Sequence, residues 1–471
     1  MARTPNAVAR LASRIAAPFR RGLGMLGYHA VEDKKRRRPA SGVLRDEETE
    51  LTASDRNRLV SDTRDLYRNF SIASWAIRKH LDYVSTFTFQ SRNKQPELDR
   101  RIEDLVRWWS RRTNCDVTGR HNLARLIRIA EARAVVDGDV FLLKLADGRL
   151  QAIEGDRVRT PFGGVPSQDA GQWRQGVKTD AAGRPLAYCV CKRNEWGGFA
   201  FERTIRSGAM LQHGYFDRFD QLRGVSPLAP ALNTFVHLYE SLEYALMKAK
   251  VSQLFGLAVY RADAEVEYLA PDLSKGAFCL NLGDYTQNRA EFLENKTPSV
   301  EFKEFTLAMI MAALKALDIP YSFYAENFTN YSGARQALLQ YEQSAQIKQR
   351  NIRELLDALV AWRLQLFVDD GVLALPEGLG VADLRWEWVP AGLPWIDPLK
   401  EIQADAMALA NRLTSRQRIA KRRGEDWWEI NAECAEEEDA GAPRARAMDA
   451  LPEEEDSPEP NRESEREEIA A

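Results

Sequence analysis

The chain has 471 residues, 44% of them apolar and 29% charged, which is room for more than one core. No apolar run reaches the roughly 18–20 residues that a membrane-spanning helix needs. Five scattered cysteines, Cys115, Cys189, Cys191, Cys279 and Cys434, argue against a disulfide framework and for a reducing compartment. The net charge of −3 hides opposite ends. Residues 1–40 hold ten Lys/Arg against two acids, and residues 435–471 hold fourteen acids against four arginines.

Residues 1–50 read as a basic flexible arm. The run Lys34–Arg38 ahead of Pro39 cannot enter a core, and the arginines before it interrupt any apolar segment of a secretion signal. Residues 51–226 read as a mixed α/β layer. Asp55–Phe89 predicts two helices turning extended at the end. Pro96–Arg111 predicts a third helix, with Leu98, Ile102, Leu105, Val106 and Trp109 on one stripe. A fourth covers His121–Val136. Val140–Leu145 and Leu150–Ile153 then read as strands joined by Asp147-Gly148, a type I′ hairpin signal. Leu186–Lys192 and Phe199–Arg203 read as strands around the turn Trp196-Gly197-Gly198.

Ser226-Pro227 predicts a helix start, with serine as N-cap and proline at the first helical position. Leu228, Leu232, Phe235, Tyr239, Leu242, Leu246 and Ala249 then alternate steps of four and three, a heptad seam over residues 227–255. Residues 256–301 break into short strand-like pieces, and a helix is expected over 302–317. Residues 318–331 read as a loop rich in aromatic and Asn side chains: Tyr321, Phe323, Tyr324, Asn327, Phe328, Asn330 and Tyr331. A helix over 332–368 repeats the four–three spacing through Ala334, Leu338, Tyr341, Ala345, Ile352, Leu355, Leu359, Trp362 and Leu366, with Lys348 interrupting it. That helix is roughly 55 Å long. Residues 369–433 are expected to add helices, the last capped by Thr414 with Gln417 and ended at Gly424. Residues 434–471 read as an acidic disordered tail.

Catalytic and cofactor signatures are decoys. Gly22-Leu23-Gly24-Met25-Leu26-Gly27 matches the dinucleotide fingerprint, but Pro18-Phe19-Arg20-Arg21 leads in where an apolar strand is required. There is no P-loop and no H-E-x-x-H, and no nucleophile elbow. His213 has Asp217 and Asp220 nearby, on what reads as a loop. Cys189 and Cys191 have no second ligand pair, which argues against zinc. No catalytic residue, metal or cofactor is assigned. Two heptad-patterned helices beside an α/β layer read as an assembly subunit, and the plainer reading of each is a helix packed inside its own chain.

Four stretches carry a family resemblance. They are Arg64-Asp65-Leu66-Tyr67-Arg68-Asn69; His213-Gly214-Tyr215-Phe216 with Gln221-Leu222-Arg223-Gly224-Val225-Ser226-Pro227-Leu228; Asn330-Tyr331-Ser332-Gly333-Ala334-Arg335; and Trp395-Ile396-Asp397-Pro398-Leu399-Lys400-Glu401. In this order, over about residues 55–435, the sequence resembles the lambda-type family of tailed-phage portal proteins. Gly333 stands where the family usually has a second serine. The residues taken from these motifs are Arg223, Gly224, Ser226, Tyr331, Ser332, Arg335, Trp395, Asp397, Pro398, Lys400 and Glu401.

The resemblance implies an α+β subunit. Its parts would be an α/β wing (51–226), a long helical stem (227–255 and 302–317), a small clip (256–301), a tunnel loop (318–331), a long helix (332–368) and a crown-side helical region (369–433), between disordered charged termini. It implies a ring, usually of twelve copies, at one capsid vertex. Duplex DNA would pass through the ring during packaging and ejection. Implied partners are the large terminase subunit, head-completion or neck proteins, and the major capsid and scaffold proteins, with no membrane. The seam Leu228, Leu232, Phe235, Tyr239, Leu242, Leu246 would then pack copy against copy. Tyr321, Phe323, Tyr324, Asn327 and Asn330 would approach DNA, where weak contacts to phosphate and sugar permit sliding; the plainer reading is that Tyr321, Phe323, Tyr324 and Phe328 anchor the loop to neighbouring helices. The rival readings are another virion structural or adaptor protein, and a nucleic-acid enzyme subunit with an unrecognised site.

Overall fold

The computed structural model describes residues 44–161, 173–261, 278–283, 289–291, 300–325, 331–392 and 398–439. Residues 1–43 and 440–471, with Asn327, Phe328, Asn330, Trp395 and Asp397, lie outside the described residues. The chain divides into two units, Met1–Pro398 and Leu399–Ala471.

The first unit opens with two helices, α1 (Ala53–Asn69) and α2 (Ser71–Val84). Thr52 caps α1 by accepting from the Asp55 amide. Buried Phe70 sits between the helices, its ring edge-on to Phe235 and Tyr239. Strand β1 (Phe87–Ser91) follows, then α3 (Pro96–Trp109), with proline in its first turn. All five apolar positions read from the sequence of α3 are buried. Asn122 caps α4 (Leu123–Asp137), and Gly138 ends it at φ +94°.

The chain passes directly from α4 into β2 (Asp139–Lys144). Strand β2 is the centre of an antiparallel sheet, flanked by β3 (Leu150–Glu154) and β8 (Met210–Gly214). The β2–β3 connection is one residue longer than a type I′ turn. Leu145 accepts from the Gly148 amide and donates to Arg149. Of the turn's residues only Gly148 has positive φ, +81°. A turn with negative φ at its centre, followed by a left-handed glycine, spares Ala146 and Asp147 the strain that type I′ would impose. A second antiparallel sheet runs β4-β5-β6-β7, through Trp173–Arg174, Val177–Thr179, Pro185–Arg193 and Phe199–Arg206.

The next helix, α5, spans Leu232–Leu254 and is preceded by a 3₁₀ turn at Ala229–Ala231. The α-helix does not start at Pro227 as expected. Pro230 would be the fourth helical residue, whose N–H must close the first α-turn onto Ser226, and proline has none. Strands β9 (Phe255–Arg261) and β10 (Phe278–Gly283) pair in parallel, and β11 (Arg289–Glu291) joins β9 antiparallel. Helix α6 (Val300–Leu314) packs against α5 and ends in a 3₁₀ turn at Lys315–Leu317.

The segment expected as a loop contains a five-residue helix, Tyr321–Ala325. The long helix is α7, Tyr331–Asp369. The region from 369 is not all helical: β12 (Trp386–Pro390) pairs antiparallel with β1 across nearly three hundred residues of sequence. Its alternation Trp386-Glu387-Trp388-Val389 is a strand pattern that the expected helices obscured.

The second unit carries α8 (Pro398–Ala410), α9 (Arg416–Arg423) and α10 (Trp427–Asp439). Gly424 ends α9 at φ +79°. Ser415, not Thr414, caps it by accepting from the Arg418 amide. Ser415 is the extended residue next to the first helical one, which is what an N-cap requires. Glutamates are good helix formers, and α10 runs five residues beyond the expected start of the disordered tail at 434.

Candidate functional site

The first unit is organised around charges buried where α4 meets β2. Asp139 is fully buried and Arg223 is 3% exposed. Arg223 donates from Nε to Asp139 Oδ2 at 2.7 Å and from one terminal nitrogen to Oδ1 at 2.8 Å. Its other N–H groups reach the carbonyls of Gly155, Gln175 and Val158. All five guanidinium donors are therefore used, the condition under which a buried arginine is tolerable. Asp139 also accepts from Arg56 at 3.0 Å, the Gly224 amide at 3.0 Å and Gln212 at 3.1 Å. Burial would raise its carboxyl, but Arg223, Arg56 and these hydrogen bonds hold it below the ordinary carboxylate range. Burial pulls the Arg56 guanidinium down to about 10 against the opposing pull of Asp139.

Glycine makes this approach possible. A Cβ on Gly224 would lie 2.1 Å from the Gly138 carbonyl oxygen, and one on Gly155 would lie 2.5 Å from Asp139 Oδ1. Ser226 donates to the Val135 carbonyl at 2.6 Å and accepts from the Leu228 amide at 3.2 Å. It ties the Arg223–Leu228 segment to the end of α4 instead of capping a helix directly.

A second buried cluster lies alongside. Glu131 on α4 takes His80 Nε2 of α2 at 2.8 Å and His213 Nε2 of β8 at 2.7 Å. Tyr215 donates its hydroxyl to the same carboxylate. Burial opposes ionisation of Glu131, yet the two histidines hold its carboxyl far below the usual range. Burial and Glu131 push the Tyr215 hydroxyl well up. His213 is therefore a strand residue bound to Glu131, not a loop residue grouped with Asp217 and Asp220. Among the described residues no group of three or more His, Cys, Asp or Glu could hold a metal ion. A third contact fixes α1: Arg64 grips Asp137 through two 2.7 Å bonds.

The heptad seam divides in two. Leu228, Leu232 and Phe235 are 1–3% exposed and belong to the core formed with α1, α2 and α6. Tyr239, Leu242 and Leu246 are 41%, 37% and 56% exposed. Tyr244 and Met247 on the same helix are exposed too, as are Val300, Phe305 and Met311 on α6. Large apolar side chains thus remain exposed on both of these packed helices.

The aromatic segment is anchored at its first half. Tyr324 stacks edge-on to Trp75, and Phe323 contacts the rings of Tyr83 and Tyr341. Tyr321 packs against the same core. Lys348, which interrupts the pattern of α7, donates to the Leu317 carbonyl and to Asp318 Oδ2, both at 2.9 Å. It thereby caps the end of the α6 extension, where Asp318 is left-handed at φ +61°. Tyr331 and Ser332 open α7, and Arg335 lies partly buried on its second turn. Pro398, Lys400 and Glu401 form the first turn of α8.

Residues 35–349, about two thirds of the chain, match the family described as phage portal protein, lambda family. The chain belongs to the lambda family of phage portal proteins. Its function is that of a portal. A probable portal protein of Halomonas phage phiHAP-1 is 26% identical over 408 residues, covering 78% of this chain and 77% of the relative. Two solved structures from gene transfer agent (GTA) particles are more loosely similar. A chain from the virion of a native particle has a TM-score of 0.45 at 15% identity, over 78% of this chain and 93% of that one. A chain from the neck of an empty particle has 0.47 at 14% identity, over 77% and 94%.

Seen in a portal chain, the motif residues gain physical roles. Arg223 and Gly224 build the buried charge centre, and Ser226 locks the turn behind it. His213 and Tyr215 share Glu131, and Arg64 holds the end of α4. Sequence reading missed their partners Asp139, Glu131, Arg56 and Asp137. The usable signal was two aspartates, Asp137 and Asp139, set inside the apolar run Val135–Leu142. Acids placed so deep in an apolar stretch need buried cations.

Proposed function

We propose that this portal chain assembles as a closed ring, of twelve copies by family expectation, around a channel for duplex DNA at one capsid vertex. The observation that carries the ring is the outward half of α5. Tyr239, Leu242 and Leu246 continue the spacing of a packed seam but meet solvent in the single chain. A closed ring is the symmetric arrangement in which one such face can meet a different face on the next copy. In this reading the outward ridge of α5 and α6 is the stem contact, β9–β11 form the clip, and residues 51–226 form the wing.

The channel role asks for loose contact with a polyanion. In this reading Tyr321, Phe323 and Tyr324 brace the base of the tunnel loop on α2 and α7, and Asn327 and Asn330 are the residues left to brush DNA. The motor that hydrolyses ATP is a separate large terminase subunit docking at the clip, and neck proteins take its place after filling. Capsid and scaffold proteins contact the outer parts of the ring.

Immunogold labelling of purified virions tests the placement. Label at a single vertex of each particle is expected. Label spread over many vertices, or absent from intact virions, would favour another virion component and overturn the portal-vertex reading.

A further inference from the structure

Charge in the second unit is segregated by helix. Between Arg412 and Arg423 there are six Lys/Arg and no acid, and between Glu425 and Asp439 there are eight acids and no base. Helices α9 and α10 pack together across Gly424. Arg422 and Arg423 both turn to Asp405 on α8. Arg416 stands over the ring of Trp427, 5.7 Å from its centre. Arg412, Arg418, Glu433, Glu436 and Glu437 are exposed, and among the described residues no ion pair holds any of them.

We propose that the basic stretch of α9, with Arg412 ahead of it, docks on the acidic α10 of a second copy of this chain. The inference rests on the ring reading, which makes the contact head to tail. Each copy gives its basic stretch to one neighbour and its acidic helix to the other. Such a contact is heterologous and repeats around a closed ring. Complementary charge at a rim chiefly sets partner orientation and the rate of encounter, and it weakens with salt.

Duplex DNA is the other polyanion that could be drawn to α9, and the fold disfavours it. A phosphate backbone would match only the basic stretch and would leave the eight acids of the segment beginning at Glu425 without a counterpart. A neighbouring copy brings one acidic helix for every basic one.

The test uses three full-length variants: Arg412→Glu with Arg418→Glu, Glu433→Lys with Glu436→Lys, and all four changes together. Two of the positions favour their new charge. Arg418 is the third residue of α9, where glutamate completes the Ser415 cap, and lysine at Glu436 sits in the last turn of α10, where a cation suits the helix dipole. Circular dichroism verifies that each variant is folded. Mass photometry across a salt series then reads assembly. Exposed pairs are individually weak but act together here, so each two-site variant is expected to need about five- to ten-fold more protein for half-assembly near 0.15 M salt. The four-site variant is expected to recover to within about two-fold of wild type, because the pairs are exchanged rather than lost.

Equal ring formation by all four proteins would overturn this interface and leave the ring reading standing. A four-site variant no better than the two-site variants would overturn it too. So would an α9 variant that assembles normally but loses retention of duplex DNA on a filter, which would assign the stretch to DNA. A wild-type chain that stays monomeric at every concentration would overturn the ring reading itself.

Discussion

Asp139→Ala is expected to cost about 3–5 kcal/mol, the range for removing one member of a buried ion pair. Whole domains are stable by only about 5–15 kcal/mol, so most of the variant should be insoluble or unfolded. The size follows from what is left behind. Arg223 and Arg56 would remain buried with no carboxylate, and the Gly224 amide and the Gln212 side chain would each lose an acceptor. Asp104→Ala is the control. It removes an exposed pair with Arg107, worth under about 1 kcal/mol. Soluble yield and the urea midpoint read the difference, and equal behaviour of the two variants would contradict the buried-charge account.

The two buried clusters together set an acid limit. Asp139 and Glu131 are both held below the carboxyl range of an unfolded chain. A depressed folded-state value contributes stability that is present above the unfolded value, about 4, and is lost as pH falls through the folded one. The contribution of these two groups should therefore be level from neutral pH down to about 5 and should decline below about 4.

The second large effect separates the two halves of the seam. Leu232 is 1% exposed among α1, α2 and α6, so Leu232→Asp buries an unpaired carboxylate and should cost several kcal/mol of chain stability. Leu242 is 37% exposed in the single chain. Leu242→Asp should leave folding within about 0.5 kcal/mol of wild type, as surface changes usually do, while assembly is abolished. Differential scanning calorimetry and native mass spectrometry distinguish the two outcomes. If Leu242→Asp assembles like wild type, the outward ridge is not a contact between copies.

Much of this was legible in the sequence because local pattern and tertiary role agree there. The stripe of α3 and the hydrophobic spacing of α7 are periodic over several turns; every predicted position of α3 is buried, and in α7 Tyr341, Ala345, Ile352, Leu355 and Leu359 are, while Leu338, Trp362 and Leu366 are only partly buried. The resemblance to portal proteins rested on four short motifs, two of which the fold explains: Arg64 through Asp137, and the His213–Leu228 stretch through Asp139, Glu131 and Val135. Heptad spacing could not say which half of α5 faces its own chain, because a seam has the same period whether its partner is internal or a neighbour. Strand β12 was missed because its partner β1 lies nearly three hundred residues away. The partners of Arg223 were missed because ion pairing across the fold leaves no periodic trace. The start of α5 was misplaced because Pro227 satisfied the rule for a first residue while Pro230 vetoed it three positions later.

Single-particle electron microscopy of the purified chain tests the portal reading most directly. The account predicts closed rings with a central hole of roughly 20 Å or more, wide enough for duplex DNA. In the map, Tyr239, Leu242 and Leu246 should lie buried between adjacent copies, and Leu232 and Phe235 inside each copy. Particles that remain monomers or dimers, or rings whose α5 ridge faces solvent, would contradict it.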